Sequence, residues 1–328
     1  MRVSGVVLAL LVLVGAVLCG SVQSDSQKWG AFIKKYGKSY ASTAEETTRY
    51  GHFRNNLRTA TLLNRLDKSA LYGDSPFMDM SQDEFRATYL RPMDVVKSGA
   101  TPYVSTGPNL SMPSEWDWDA EGYVHLPKNQ KDCGGCWAFA VMEAMESNWA
   151  IRNDLKDDVP ALSAQQLIDC NTENSGCDGG NIDWAFDYVQ EKGLESEKHY
   201  PYKHKDSKCK YDAAQVDVTM SVDGYRDLPN DEAEIAKALY EGGPVAFAMN
   251  ATPLQTYTQG IINPKFCSPY LLDHAMLLVG YGHDKPSGLD YWIIMNSWGE
   301  SWGEGGYFNL VRGVNACGVA EWPVQPCL

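Results

Sequence analysis

Three residue types in this chain can do chemistry together only if the fold brings them to one place. Cys136 follows Gly134-Gly135 and opens a segment, Cys136 to Ala150, whose apolar residues recur at helical spacing, which puts its sulfur at a helix N-terminus. There the helix dipole favours the thiolate, and an imidazole close in space would complete an ion pair able to attack a carbonyl near neutral pH. His274 is the outstanding candidate, 138 residues downstream and next to a run that reads as a strand. Asn296, 160 residues after Cys136, carries an amide that can hold an imidazole in one tautomer. Alone, the histidine and the asparagine would each more often be structural. The spacing Cys133-x-x-Cys136 does not itself decide between a redox pair, half of a zinc site and halves of two disulfides. No second ligand pair stands at finger-like spacing among His125, His199, His204, His274 and His283, and no early βαβ pattern supports a redox motif.

The elements that must position these residues lie in a cysteine-bearing body. Two more helices are expected in it, one opening at Ser163-Ala-Gln-Gln166, which looks like a capping box, and one over Ile182 to Val189. Beyond about Asp223 the texture is strand-like: Val245–Met249, Ala275–Val279, Tyr291–Met295 and Tyr307–Val311 are short apolar runs bounded by glycines. Upstream, Asp25 to Arg91 is rich in charge and helix formers, lacks cysteine, and has a candidate capping box at Ser42-Thr-Ala-Glu45. Residues 91–113 turn to Pro, Gly, Ser, Thr and Val without a period, as in an extended connector. Arg2 followed by an apolar run from Val6 to Val17 and small residues reads as a signal peptide, too short to span a bilayer. An exported chain meets oxidising conditions, so most of the eight cysteines beyond Cys19 should pair, and the sequons at Asn109 and Asn250 fit that setting.

Composition narrows the function. The chain has 328 residues, 44% apolar, with Lys+Arg 28 against Asp+Glu 42, a net charge of −14. That balance excludes a phosphate-tracking nucleic-acid binder and a polybasic membrane partner. Neither a cofactor nor a metal is expected.

Taken together, Asn129-Gln130, Cys133-Gly134, Cys136-Trp-Ala-Phe139, Gly176-Cys-Asp-Gly-Gly180, His199-Tyr-Pro-Tyr202, Asp273-His-Ala275, Asn296-Ser-Trp-Gly299 and Trp302-Gly303 closely resemble the papain family of cysteine peptidases, over nearly the whole chain. Upstream, Glu45, Arg49, Phe53, Asn56 and Asn64, with Ala60 where an isoleucine is usual, and then Gly73, Phe77 and Asp79, resemble cathepsin L-like propeptides. The resemblance implies an α+β, papain-like two-lobed fold, a helical lobe (about 120–222) and a β-barrel-like lobe (about 223–320) with the active-site cleft between them. A helical inhibitory propeptide (21–110, its linker about 91–110) would precede the catalytic domain (111–328), and the signal peptide would be 1–20.

It also implies roles. Cys136 would be the nucleophile, His274 general base and then acid, Asn296 the orienter shielded by Trp298, and Gln130 an oxyanion donor together with the Cys136 N–H. Disulfides would join Cys133–Cys177, Cys170–Cys209 and Cys267–Cys317, with Cys136 free and Cys327 left over. Gly134, Gly180, Asn181, Ile182, Ala248, Leu272, Ala275 and Trp298 would contact substrate. The mostly apolar S2 walls favour an apolar P2 residue, the far wall falling at Glu321 or Trp322; an inward Glu321 would admit a basic P2. The lack of an occluding-loop insertion favours an endopeptidase. Implied partners are protein or peptide substrates, the chain's own propeptide and cystatin-like inhibitors, for a monomer of the secretory pathway, lysosomal, vacuolar or extracellular. Acidification would weaken carboxylate contacts and allow cleavage near Leu110 to Pro113. Departures from the pattern are Lys131-Asp132 after Gln130, Gly135 in place of the usual serine, Asp119 in Asp117-Trp-Asp119, and a short tail after Ala320. Lys131 alters the loop if the backbone there needs φ > 0. These departures motivate a second reading, a catalytically impaired binding or scaffold protein.

Overall fold

A computed structural model describes residues 23–101, 103–104, 112–215 and 220–328. The expected signal peptide, the Asn109 sequon and residues 110 and 111 of the expected cleavage region lie outside them. Helix α1 (Asp25–Tyr36) belongs to an N-terminal unit of its own. Ser24 and Gln27 close a reciprocal capping box at its start, and Gly37 ends it in the left-handed conformation at φ 60°.

The second unit begins with α2 (Thr43–Leu66), followed by β1 (Ala70–Tyr72) and α3 (Gln82–Tyr89). Ser42 caps α2 through the Glu45 N–H, but the Glu45 carboxylate reaches back to the N–H of Ala41 instead of the cap residue, so the expected box is not closed. The polar residues that punctuate α2 clasp the chain that follows. Asn56 donates to the carbonyls of Met78 and Met80, Asn64 exchanges two hydrogen bonds with the Tyr72 backbone, and Arg49 meets Glu84 at 3.1 Å. Phe53 and Ala60, on the apolar face, are buried. The segment is therefore not purely helical: β1 extends the main sheet.

The body contains β2 (Trp116–Asp117), α4 (Cys136–Arg152), α5 (Ala164–Cys170), α6 (Ile182–Lys192), β3 (Gly224–Asp227), α7 (Glu232–Gly242), β4 (Val245–Met249), β5 (Tyr257–Ile262), β6 (His274–Asp284), β7 (Leu289–Met295), β8 (Tyr307–Val311) and β9 (Pro323–Cys327). The sheet runs β1-β5-β8-β7-β6-β4-β9-β3, with β2 also on β6. A helix, α7, interrupts the strand-textured half. Asp231 caps it and Gly243 follows its end, cues that the surrounding apolar runs overshadowed. Ser163 caps α5, yet Gln166 turns its side chain to Tyr188 and Gly193, so no reciprocal box forms there either.

Two cores hold the site. One packs Trp137, Phe139, Met142, Leu167 and Phe186 between α4, α5 and α6, and continues into Ala248 and Leu277 of the sheet. The other packs Tyr257, Trp292, Trp302 and Phe308 with Leu239 of α7. Helix α4 is apolar nearly all round and is buried along its length between the other helices and the sheet. Its N-terminus thus faces the start of β6, where His274 stands.

Candidate active site

Cys136 is the first residue of α4, after Gly135, and is fully buried with a free thiol. The N–H groups of Ala275 and Trp137 reach its sulfur, so Cys136 touches the residue next to His274. His274 Nε2 lies 2.8 Å from Asn296 Oδ1, which also accepts the Ser297 N–H at 2.8 Å. Because that amide oxygen can only accept, Nε2 carries the proton, and the buried Nδ1, without a hydrogen-bond partner, keeps its lone pair. Trp298 stacks on the imidazole, centroids 4.8 Å apart at 26°, and closes it off from water.

Gln130 is fully buried and doubly braced. Its Oε1 accepts the Ser297 hydroxyl at 2.6 Å, and its Nε2 donates one hydrogen to the Cys133 carbonyl at 3.0 Å. The second hydrogen of that NH₂ and the Cys136 N–H, an unpaired donor of the first helical turn, are both available to an anion. The loop is held by Gln130 N–H to the Ser297 carbonyl and by the Tyr202 hydroxyl on the Gln130 carbonyl, at 2.8 and 2.6 Å. Ser297 and Tyr202 were not singled out from sequence, although both stand inside motifs that were.

Burial sets the protonation states. It pushes the Cys136 thiol up to about 11, against the two N–H contacts that favour the thiolate. It pulls His274 down to about 4, the Asn296 contact opposing it. In this closed form both shifts favour the neutral thiol and the neutral imidazole.

What closes the form is the linker. Arg91 donates its N–H to the Asp273 carbonyl and Met93 donates to that of Leu272, at 2.8 and 2.9 Å, either side of the site. Gly134 is pressed between this segment and the Cys133–Cys177 region: a Cβ there would stand 2.4 Å from the Cys177 carbonyl oxygen and 2.8 Å from the Arg91 Nε. Phe77, Phe85 and Tyr89 press on Trp298 with centroids 5.3, 5.4 and 5.9 Å away.

The other expected contact residues divide. Ile182, Ala248, Leu272 and Ala275 are buried in one apolar cluster with Met93 of the linker. Asn181 caps α6 with Oδ1 and gives its NH₂ to the Val96 carbonyl at 3.0 Å, and Gly180 packs on the Trp137 ring. Trp298 lies instead between His274 and the upstream aromatic residues. Glu321 is partly exposed and accepts from Asn315 at 2.6 Å, while Trp322 is buried with its indole N–H on Asp183 at 2.8 Å. Disulfides join Cys133–Cys177, Cys170–Cys209 and Cys267–Cys317, with S–S distances of 2.03, 2.09 and 2.16 Å, and Cys327 is free. Asn250 is buried and bonded to Thr252 and Ser268, leaving its sequon without an exposed amide. Among the described residues no cluster of side chains is arranged to hold a metal ion, and no helix is long and apolar enough to cross a membrane.

Residues 112–327 match the papain family cysteine protease domain, and residues 29–85 match the cathepsin propeptide inhibitor domain. The chain belongs to the papain family. It is 39% identical to cysteine proteinase 1 of Zea mays over 317 residues, covering 88% of this chain and 83% of that protein. It is 38% identical to cathepsin F of Mus musculus over 294 residues, covering 88% of this chain and 62% of that one. The digestive procathepsin L 3 of Tenebrio molitor larval midgut superposes with a TM-score of 0.82 at 36% identity, covering 94% of this chain and all of that structure. This papain-family chain is a cysteine peptidase carrying its inhibitory propeptide.

Proposed function

We propose that Cys136, His274, Asn296 and Gln130 are the working residues of an endopeptidase, and that the segment up to about residue 110 is its intramolecular inhibitor. The observation that carries this is the polarity of the imidazole: Nε2 is tied to Asn296 at 2.8 Å and Nδ1 is left without a partner, while the N–H of the next residue, Ala275, reaches the sulfur of Cys136, the only free thiol among the described buried cysteines. With the linker gone and water admitted, the thiol proton passes to Nδ1 and the ion pair forms. The thiolate adds to the peptide carbonyl, and the resulting oxyanion takes hydrogen bonds from the Cys136 N–H and the Gln130 NH₂. Collapse breaks the C–N bond as Nδ1–H protonates the leaving amine. Water, deprotonated by Nδ1, then releases the acid from the thioester.

The apolar wall of Ile182, Ala248, Leu272 and Ala275 supports an apolar P2 residue, and the Glu321–Asn315 hydrogen bond supports a Glu321 turned away from it. Three disulfides support passage through the secretory pathway to a lysosome-like compartment or the exterior. A monomer open to cystatin-like inhibitors once its cleft is clear completes the reading. No observation favours the impaired-scaffold alternative.

The test pairs Cys136→Ala with labelling. After acid activation, the wild type should cleave peptides with a bulky apolar P2 and be labelled on Cys136 by an epoxide inhibitor, mapped by mass spectrometry. Cys136→Ala should do neither, and activity retained in that variant would overturn the assignment.

A further inference from the structure

The linker keeps making contacts well beyond the nucleophile. From Met93 it continues over the first turns of α6 and on to β3. The Val96 carbonyl accepts from Asn181 at 3.0 Å, the Ser98 N–H donates to Asp183 Oδ2 at 3.0 Å, and the Thr101 N–H donates to the Tyr225 carbonyl at 2.7 Å. The Ser98 hydroxyl meets Asp187 at 2.6 Å and the Tyr225 hydroxyl at 2.7 Å, and Lys97 Nζ stands 3.5 Å from Asp227 Oδ2.

This strip is built around a buried acceptor. Asp183 is fully buried; Trp322 takes one carboxylate oxygen, and the other faces the linker and holds its amide. Burial and the nearby Asp227 push Asp183 up to about 6, while the Ser98 N–H and Lys97 pull it down. Asp227 Oδ1 is buried without a partner. When the linker leaves, Asp183 loses the N–H that satisfied it and Asp227 loses its cation. Both losses would be made good by another peptide chain carrying a basic residue.

We propose that Asn181, Asp183, Asp187, Tyr225 and Asp227 form an extended subsite of the activated enzyme, which holds a substrate main chain through Asn181 and Asp183 and selects a lysine or arginine side chain through Asp227 and Asp187. Met93 packs in the apolar cluster assigned to P2, and Lys97 lies four residues further along the linker. The linker passes Cys136 at Arg91 and enters the P2 cluster at Met93, so its numbers rise in the direction in which a substrate's fall away from the scissile bond; an extended chain covers four residues in about 13 Å, which places the basic residue about four positions N-terminal of P2. The inference rests on the peptidase reading of the cleft, and its test keeps the two apart.

Activated enzyme, counted by titration with an epoxide inhibitor, is given internally quenched peptides with leucine at P2. Lysine, alanine or glutamate is placed in turn three, four or five positions N-terminal of P2. At one of these positions lysine should raise kcat/KM over alanine roughly two- to fivefold, through KM, as a partly exposed ion pair allows, and glutamate should lower it. Salt at about 0.5 M should shrink the difference. In Asp227→Asn, and separately in Asp187→Asn, the lysine-to-alanine ratio should fall toward one. Equal rates for the three peptides, or a lysine advantage that survives both substitutions, overturns the subsite. A short substrate ending at P2 reports on the chemistry alone: if the wild type fails to cleave it, the peptidase reading falls and the subsite with it.

Discussion

Lys131 holds a backbone φ of 57°, the left-handed region that an L side chain enters at a cost of about 1 kcal/mol. Its N–H is fixed by Asn129 Oδ1 at 2.9 Å, and Asn129 bridges to Trp298, so the turn that carries Gln130 cannot relax the strain. Lys131→Gly should therefore raise the stability by about 0.5–1 kcal/mol, read as a shift of roughly 1–4 °C in the calorimetric Tm. An unchanged or lower Tm would show that the loop gains as much from the lysine as it loses. This position is legible in the sequence, because a lysine follows Gln130 where the family pattern commonly has a glycine, whose backbone can take φ > 0. Gly135 has a different cause. A Cβ there would come 2.9 Å from Ile168 Cδ1, so the space a serine would need is filled by a core side chain from α5. Nothing local in the sequence signals that, since Ile168 is 33 residues away.

Helix α4 carries more than its first residue. Two turns on, Glu143 and Glu146 are both buried, as is Ser147. Glu146 is answered by Lys128 and by the Leu162 N–H. Glu143 Oε1 and Ser147 Oγ have no hydrogen-bond partner. Desolvation pushes Glu143 up to about 8, opposed by Lys128 and reinforced by Glu146. A carboxyl whose folded-state pKa lies above its unfolded value favours the fold while protonated, so its contribution is full at low pH and drains away as pH climbs through about 8. Asp183 and Asp273, both raised to about 6, act in the same sense over a lower range. Thermal unfolding followed from pH 5 to 8 should show a falling Tm, and Glu143→Gln should flatten the fall; an equally steep fall in the variant would exonerate Glu143. Elements with a strong period or a cap were readable from sequence: α4, α6 and β8 begin where their patterns do. Strand β9 was not. Its Pro323 and Pro326 argue against a strand by composition, and only its pairing with β3 and β4 makes it one.

At the scale of the whole molecule, the sequence implied a cleft and a plug, but not how many places the plug is pinned. Aromatic packing on Trp298, backbone bonds at Asp273 and Leu272, and the contacts on α6 are long-range and leave no local trace. Glu84 is shifted in the opposite direction to Glu143. Burial pushes Glu84 up, but the Ser81 N–H, Arg49 and His52 outweigh it and hold it below the ordinary carboxylate range. Its support for the α2–α3 clasp is thus complete above the unfolded pKa and lost as pH falls through the depressed one. Glu84→Gln should let the zymogen convert at a higher pH than the wild type, followed by gel shift over time at stepped pH; conversion at the wild-type pH would clear Glu84 of the role. Strand β1 pairs with β5 from Ala70 opposite Gly260 to Tyr72 opposite Tyr257, so the inhibitory segment is part of the enzyme's own sheet. While the chain is whole, that pairing is held at the millimolar effective concentration of a tether. One cut changes the law that governs it: the two pieces then meet at their bulk concentration, and dilution, more than the cut itself, decides how much of the enzyme is open.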